Sequence, residues 1–375
     1  MSFTIPPPAP HVRLLLGMLS DAAGCTELTL DSWDTLVRTA RAARLLGVLA
    51  VRIERAELTR RLPEPVTNHL RAATAEAQFL RQMTLRQLNV VAETLRPLGA
   101  RLLALKGSAY ILRDSECAFG RLPRDLDIMV ARDRLDEVEQ ALLSAGWKFQ
   151  KTDRYDQHYY RAWSHELPPM RAPAMPLELD VHHSILPPVG RLRPDARDLI
   201  DAAVPVTHDS CWWTLCPADQ LLHAAAHLFQ DSDCVERLRD LIDIDGLLRE
   251  LAGADPNFWG TLLERAQKLN LGRPLWYSTA FCRAWLDTPV PQAVVSEIER
   301  FAPPTPSRAL MVSLAARVLP PIHPDLEAGL ADRSAGAALE FRALWLRMPP
   351  WTLAYHGASK LVRSMRRPAA EPSAG

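Results

Sequence analysis

The chain has few glycines, no excess of charge of either sign and no long apolar run. Only 16 of its 375 residues are glycine, below the average share of about 7%, which argues against a protein built from glycine-rich phosphate loops. Its 44 basic and 44 acidic residues cancel, so neither a strongly basic nucleic-acid-binding surface nor an acidic disordered tail is expected. No stretch reaches the ~18 apolar residues of a membrane-spanning helix, and no transmembrane segment is predicted.

Several short signatures are also missing. The six cysteines are scattered without a C-x-x-C pair, so neither a disulfide framework nor a thiolate zinc site is indicated. Neither the P-loop pattern G-x-x-x-x-G-K-[ST] nor a dinucleotide-binding fingerprint occurs. The apolar stretch 14–19 is too short for a secretory signal and follows no basic region. We therefore expect reduced thiols and a cytoplasmic protein.

Periodic patterns divide the chain into four predicted segments. Leu85, Leu88, Val91 and Leu95 recur at spacings of three and four, as on one side of a helix. The chain has 31 prolines, more than the average share of about 5%. Many of them lie in the last third, where pairs such as Pro320-Pro321 are expected to end helices. We predict a helical N-terminal segment at 1–95, an α/β core at 96–190, a helical C-terminal domain at 191–367 and a disordered tail at 368–375.

The segment 96–190 alternates strand and helix patterns. Its apolar run 102–105 is stopped by the residues 106–108, and a helical stretch follows. A second strand pattern at 124–130 includes two carboxylates at its start, and the segment 177–182 alternates apolar and polar residues without a break. These patterns predict a mixed module of the α+β type whose strands present polar faces.

Three aspartates in this module are candidates for a metal site. Asp125 and Asp127 lie two apart on one predicted strand and point the same way, and Asp180 completes the set if the two strands are neighbours. Carboxylates at such distances repel one another unless a cation offsets the repulsion. Hard oxygen ligands suit Mg²⁺, which takes one or two carboxylates together with water and substrate phosphate. Upstream, the Gly107 amide and the Ser108 hydroxyl lie where a strand turns into a helix and could receive phosphate oxygens.

In this order the residues resemble the nucleotidyltransferase superfamily that includes polymerase beta. The family pattern is Gly-Ser, a spacer, Asp-x-Asp or Asp-x-Glu on a strand, and a third carboxylate further on. More narrowly, about residues 70–250 look like a largely uncharacterised bacterial group of nucleotidyltransferase family proteins. The resemblance implies a small mixed sheet with helices, flanked by helical segments. The segments that carry the narrower resemblance are 105–107, Arg121, 125–130, 146–147 and 179–182.

The resemblance also implies a reaction, in which a nucleoside monophosphate moves from an NTP to a hydroxyl-bearing acceptor and pyrophosphate leaves. Asp125 and Asp127 would hold two Mg²⁺ ions, for which Mn²⁺ could substitute. Asp180 would ligate the metal that contacts the acceptor and act as its general base. ATP is the default nucleotide. The implied nucleotide-binding residues are Lys106, Gly107, Ser108 and, from the unusually long segment between Ser108 and Asp125, Arg121 and Arg124.

Other interpretations of the same residues stay open. The carboxylates could persist in an inactive nucleotide-binding or partner-binding module. His223 and His227, four apart on a predicted helix, could bind zinc in a metallohydrolase if a third ligand converged. The acceptor, whether small molecule, sugar, peptide or protein, and the oligomeric state are left open, while the balanced charge disfavours long nucleic acid. Further candidates for lining the site are Glu178, His182, His223, His227 and Asp240.

Overall fold

The computed structural model describes residues 4–173, 175–208 and 211–355, and of Asp231 it describes the backbone only. The predicted tail at 368–375 lies outside these ranges. The described chain is a mixed sheet with helices packed around it, which confirms the predicted α+β class. None of the helices in these ranges is both long enough and apolar enough to cross a membrane.

The N-terminal segment is helical, as its periodicity predicts. Its longest helix, Glu64–Leu95, has Pro65 in the first turn, where a missing N–H costs no intrahelical hydrogen bond. The buried side-chain amide of Gln87 donates to the Leu177 carbonyl and accepts from the Leu177 amide, both over 3.0 Å. This contact fixes the helix against the residue that enters a central strand. The helices are α1 (Pro10–Ser20), α2 (Leu30–Ala42), α3 (Leu46–Arg55) and α4 (Glu64–Leu95).

Strands and helices alternate in the middle of the chain. Leu126 and Ile128 are fully buried in one strand, as expected of its apolar positions. Gly146, at a φ of +90°, turns the chain after the helix Leu135–Ser144, a conformation that glycine adopts without steric cost. The elements are β1 (Leu102–Ala104), α5 (Lys106–Leu112), β2 (Asp125–Met129), α6 (Leu135–Ser144), β3 (Lys148–Phe149), α7 (Arg154–Trp163), β4 (Met170–Arg171) and β5 (Glu178–His182).

The part of the chain after residue 190 contains two short strands among its helices, β6 (Val204–Pro205) and β7 (Trp212–Thr214). The prediction that 191–367 is helical is wrong for these residues, because strands of two and three residues are too short to show an alternating pattern. A π-helical turn, His227–Asp231, continues the second helix of this part. The helices are α8 (Ala196–Asp201), α9 (Pro217–Ala226), α10 (Leu238–Ala254), α11 (Phe258–Lys268), α12 (Gly272–Leu286), α13 (Gln292–Glu299), α14 (Thr305–Val318) and α15 (Leu330–Arg347).

The seven strands form one sheet in the order β3-β4-β5-β2-β1-β7-β6. β2 pairs with β5 in parallel and β1 with β7 in parallel, whereas β1 and β2 are antiparallel. Because β7 pairs with β1 through Leu102 and Trp212, the sheet extends beyond the predicted core at 96–190. The strands β2 and β5, which carry the candidate aspartates, lie at its centre.

The apolar core joins the three parts of the chain. One cluster of buried side chains includes Leu15 and Leu95 from the N-terminal helices, Val181 from the sheet, and Phe229 and Leu339 from the C-terminal helices. Burying a side chain of this size contributes about 1.5–3 kcal/mol. The N-terminal and C-terminal helices therefore share one core with the central strands and help to hold those strands in place.

Candidate active site

Two neighbouring strands bring the candidate aspartates to one face of the sheet. In the parallel pair of β2 and β5, Asp127 lies opposite Asp180, and Asp125 lies opposite Glu178. Residues opposite each other in adjacent strands, and residues two apart on one strand, project to the same face. The structure therefore brings these four acidic residues together, and the neighbouring strands that the aspartate set requires are present.

Of these four residues, Asp125 and Asp180 have carboxyl groups with a raised pKa. Repulsion from Asp127, together with burial, raises the pKa of Asp125. Burial, with repulsion from Glu166 and Asp127, raises the pKa of Asp180 to about 9. The Oδ1 atom of Asp180 is also buried without a hydrogen-bond partner. Since an unpaired buried acceptor is costly, this face suits a cation supplied from outside the chain.

Asp127 differs from its neighbours because two basic side chains contact one of its oxygens. Lys106 donates from Nζ to Oδ1 over 2.9 Å, and Nε2 of His182 lies 3.0 Å from the same atom. Burial alone would raise the pKa of Asp127, but Lys106 and His182 hold it well below its usual range. Lys106 itself has a φ of +44°, a left-handed conformation that non-glycine residues seldom adopt. That conformation turns β1 into α5 at the aspartate face.

Gly107 is required by the arginine packed against it. A Cβ at position 107 would lie 2.9 Å from Nε of Arg121. The guanidinium of Arg121 is held in place, since it pairs with the carboxylate of Asp243 on α10 and lies 5.3 Å from the centre of the Tyr110 ring. Glycine at 107 therefore lets a buried arginine approach the start of α5.

The long segment between Ser108 and Asp125 packs against the N-terminal helices and α10. Gly120, at a φ of +73°, and Gly47 are in backbone contact so close that a Cβ on either residue would collide with the other. The Leu122 carbonyl accepts hydrogen bonds from Arg44 over 2.6 Å and from Arg239 over 3.2 Å. The segment is thus clamped between the N-terminal helices and α10, and it delivers Arg121 to the site.

Positive charge accumulates beside the acidic face. Burial, followed by repulsion from Arg239, Arg124 and Arg121, lowers the pKa of Arg44 to about 10. Burial and repulsion from Arg121 lower the pKa of Arg239 as well. Asp243 pairs with Arg121, and Asp240 lies 3.6 Å from Arg239. Two carboxylates do not offset four guanidinium groups, so this wall suits an anion.

The acidic face and the arginines border one cleft of about 260 Å³. Of the predicted site residues, those that line it are Lys106, Gly107, Arg121, Arg124, Asp125, Asp127, Asp180, His227 and Asp240.

Four predicted residues lie outside the lining of this cleft. Ser108 is 1% exposed and its hydroxyl has no hydrogen-bond partner, so it does not reach the cleft surface. His182 is buried behind Asp127, and His223 is buried on α9. Glu178 shares the aspartate face but pairs with Arg171 over 3.1 Å.

Residues at or beside the cleft that sequence reasoning did not single out include His165, Glu166 and Arg44. His165 and Glu166 line it because their segment pairs with the end of β5, where the His183 amide donates to the His165 carbonyl over 2.8 Å. Arg44, between α2 and α3, reaches the site from a distant part of the chain. None of the three belongs to a periodic pattern or motif that could have identified it.

The aspartates of the cleft are better suited to bind Mg²⁺ than His223 and His227 are to bind Zn²⁺. The oxygens of Asp125, Asp127 and Asp180 are the hard ligands that Mg²⁺ prefers. In the described part of the chain, His223 and His227 belong to no group of three converging ligand atoms. Burial, followed by the charge of Lys106, lowers the pKa of both histidines well below 6.5. Because neutral imidazole can bind metals, it is the lack of a third converging ligand among the described residues that argues against zinc here.

Comparison with known families identifies one match. Residues 30–287 match the model of a family described as "Uncharacterised nucleotidyltransferase". The match covers more than half of the 375 residues and spans all the predicted site residues. No curated protein and no solved structure matches the chain.

Proposed function

As the chain belongs to this uncharacterised nucleotidyltransferase family, we propose that it transfers a nucleoside monophosphate from an NTP to a hydroxyl-bearing acceptor. The observation that carries the proposal is the cleft in which Asp125, Asp127 and Asp180 adjoin a wall of arginines. We also propose that the chain belongs to the polymerase-beta-like nucleotidyltransferase superfamily.

Asp125, Asp127 and Asp180 would hold Mg²⁺, and the unpaired Oδ1 of Asp180 supports this assignment. When bound, Mg²⁺ neutralises phosphate charge and the charge that develops during in-line displacement. Mn²⁺, with similar ligand preferences, could substitute. Lys106, which follows β1, donates a hydrogen bond to Oδ1 of Asp127 on β2. This hydrogen bond would orient the carboxylate.

The arginines would bind the triphosphate. Arg121 lies against Gly107 and Arg124 is exposed at the cleft, so both lie where phosphate oxygens would sit beside the acidic face. Guanidinium groups form paired, charge-assisted hydrogen bonds with phosphate. Burial lowers the pKa of Arg44 and Arg239 most, and repulsion between the arginines lowers it further. Binding a polyanion here would relieve that repulsion.

In the proposed reaction the acceptor oxygen attacks the α-phosphorus, a new P–O bond forms, and the bond to pyrophosphate breaks. Bound Mg²⁺ would favour the ionised form of Asp180, and the acceptor proton would then pass to its carboxylate. ATP is the default donor, and the acceptor is a small molecule, sugar, peptide or protein. The small cleft, about 260 Å³, and the balanced charge of the chain favour a discrete acceptor over long nucleic acid.

Calorimetry with Mg²⁺ and each NTP tests the nucleotide site. We expect wild-type protein to bind at least one NTP in the presence of Mg²⁺. Asp127→Asn should lose about 100-fold or more in affinity, because it replaces a charged metal-binding carboxylate by a neutral amide. Asp34→Asn, at an exposed position, is the matched control and should bind normally. Unchanged binding by Asp127→Asn would contradict the site.

An inactive nucleotide-binding module is a second candidate, favoured by one contact. The ammonium of Lys106 occupies Oδ1 of Asp127, where it competes with a metal ion for the same atom. Intact-mass measurement and a pyrophosphate-release assay separate the two candidates. Transfer to an acceptor or to the protein itself requires pyrophosphate release, whereas the inactive module would bind nucleotide without releasing any.

A further inference from the structure

A second group of possible metal ligands lies beside the acidic face. Among the described residues, His165, Glu166 and His182 each offer one ligand atom, and the three atoms lie within 4.8 Å of one another. We propose that these residues bind a divalent transition-metal ion such as Zn²⁺, separately from the Mg²⁺ carboxylates. This site goes beyond the proposed transfer reaction and does not depend on it.

The backbone brings the three residues together. Glu166 forms an antiparallel bridge with His182, and the His183 and Leu167 amides donate to the carbonyls of His165 and Val181 over 2.8 Å and 2.9 Å. The segment 165–167 therefore continues the sheet beside the end of β5. The rings of His165 and His182 lie 5.2 Å apart, centre to centre.

The hydrogen bonding of His182 leaves one ring nitrogen available. Its Nε2 faces the ionised carboxylate of Asp127 over 3.0 Å and therefore carries a proton, which in a neutral imidazole leaves a lone pair on Nδ1. A histidine that donates to a carboxylate through one nitrogen and binds metal through the other is a recurrent arrangement in metalloproteins. Asp127 would thus serve both sites, as a Mg²⁺ ligand and as the group that orients His182.

The lone pair of His182 faces another acceptor. Nδ1 of His182 lies 3.4 Å from Oε2 of Glu166, and two acceptors at this distance repel unless a cation lies between them. The separation matches the ~3.4 Å edge of a tetrahedron with metal–ligand bonds of about 2.0–2.1 Å. The same contact could be an N–H···O bond if His182 were an imidazolium, and this is the competing explanation that the experiment must separate.

The environment of His165 is a second observation that supports a metal site. It is 8% exposed, and its Nδ1 is buried without a hydrogen-bond partner, which is costly for a polar atom. A neutral imidazole nitrogen in this position could bind a metal ion. Two imidazoles with one carboxylate favour Zn²⁺ or a similar ion over Mg²⁺.

Three protein ligands leave a fourth position for water or substrate oxygen. His165 and Glu166 both line the cleft, so this position lies on the side from which an acceptor would enter. The ion would fasten the segment 165–167 to β5 and place a Lewis acid beside Asp180.

Cobalt binding to the metal-free full-length protein, in excess Mg²⁺, tests the proposal. Co²⁺ reports its geometry and nitrogen ligands by visible absorption. We expect one equivalent of Co²⁺ to bind with a tetrahedral spectrum and to be displaced by Zn²⁺, with His165→Gln and Glu166→Gln each weakening binding by about 10–100-fold or more. His223→Gln, which alters a buried histidine outside the group, is the matched control and should keep the spectrum.

Three outcomes would overturn the site. Failure of wild-type protein to bind Co²⁺ in excess Mg²⁺ would rule out a metal site at these three residues. Binding that survives both His165→Gln and Glu166→Gln would place the metal elsewhere. Loss of the spectrum in Asp125→Asn, with His165→Gln unaffected, would assign the ion to the aspartates. Circular dichroism confirms that each variant is folded, and the wild-type measurement needs no variant.

Discussion

Two buried carboxylates, one between packed helices and one in the cleft, differ in how completely their oxygens are hydrogen-bonded. Asp219, on α9, is fully buried, and both its oxygens accept from Arg265 on α11, over 2.8 Å and 2.5 Å. Asp180 is also largely enclosed, but its Oδ1 has no partner and its pKa is raised to about 9. Among the described residues it carries the one buried carboxylate oxygen without a hydrogen bond.

The difference separates a structural ion pair from the proposed binding site. The chain can satisfy a buried carboxylate completely when the pair only joins two helices. At the cleft, acidic side chains and arginines lie side by side without being fully paired, and this lowers the stability of the folded chain. Binding of a metal ion with a polyphosphate would raise the stability again. Removing the charge of Asp219 and removing the charge of Asp180 should therefore have opposite effects on stability.

The largest expected change in stability is at the closed pair. Asp219→Ala leaves the Arg265 guanidinium, 14% exposed, without its carboxylate, and should lower the free energy of unfolding by about 3–5 kcal/mol. Urea denaturation followed by circular dichroism measures the change. Asp34→Asn, in an exposed pair with Arg38, should change stability by less than about 1 kcal/mol. Equal effects in the two variants would break the comparison.

A smaller loss is expected where Arg121 meets the cleft. Gly107→Ala places a methyl group against the guanidinium that pairs with Asp243, and overpacking of this kind costs about 1–3 kcal/mol. NTP affinity should fall as well, because the displaced guanidinium is one of the proposed phosphate ligands. Gly253→Ala, where a Cβ meets nothing within 4 Å, is the matched control and should retain both stability and affinity.

At the open cluster the expected change is smaller and has the opposite sign. Without divalent metal, Asp180→Asn should raise the unfolding temperature by a few °C at pH 7 or above, since the amide mimics the protonated acid and removes a repelled charge. Mg²⁺ should stabilise wild-type protein and have less effect on the variant. Thermal scans with EDTA and with excess Mg²⁺ measure both effects, and a destabilised variant in EDTA would show that Asp180 is balanced after all.

The same carboxyl predicts a pH dependence. Its folded pKa of about 9 exceeds the unfolded value of about 4, so between these values the folded state binds more protons and stability falls as pH rises. In EDTA, the advantage of Asp180→Asn over wild type should grow between pH 5 and pH 9. A difference that stays constant with pH would contradict the raised pKa of Asp180.

Local patterns were sufficient for the central strands. The alternation of Leu177, Leu179 and Val181 with polar residues predicts the strand that carries Asp180, and the two-residue spacing of Asp125 and Asp127 predicts their shared face. The strand β7 escaped prediction because Trp212-Trp213-Thr214 is short and has no alternation; its pairing with β1 comes from the surrounding fold.

Contacts between distant parts of the chain were beyond such patterns. Nothing near Arg44 indicates that it meets the Leu122 carbonyl, or that Gly47 and Gly120 are in backbone contact. His165 and Glu166 became visible only through their pairing with β5. The burial of Ser108 likewise depends on helices that pack over α5, so its place in the Gly-Ser motif did not reveal its exposure.

The sequence by itself determined which residues share a strand face and that their carboxylates suit Mg²⁺, because side-chain alternation and ligand chemistry are local properties. Only the tertiary structure decided that Asp127 lies opposite Asp180, that arginines from separate segments gather beside them, and that His165 approaches His182. Strand register and helix packing bring together residues far apart in the chain, and no local pattern specifies those distances.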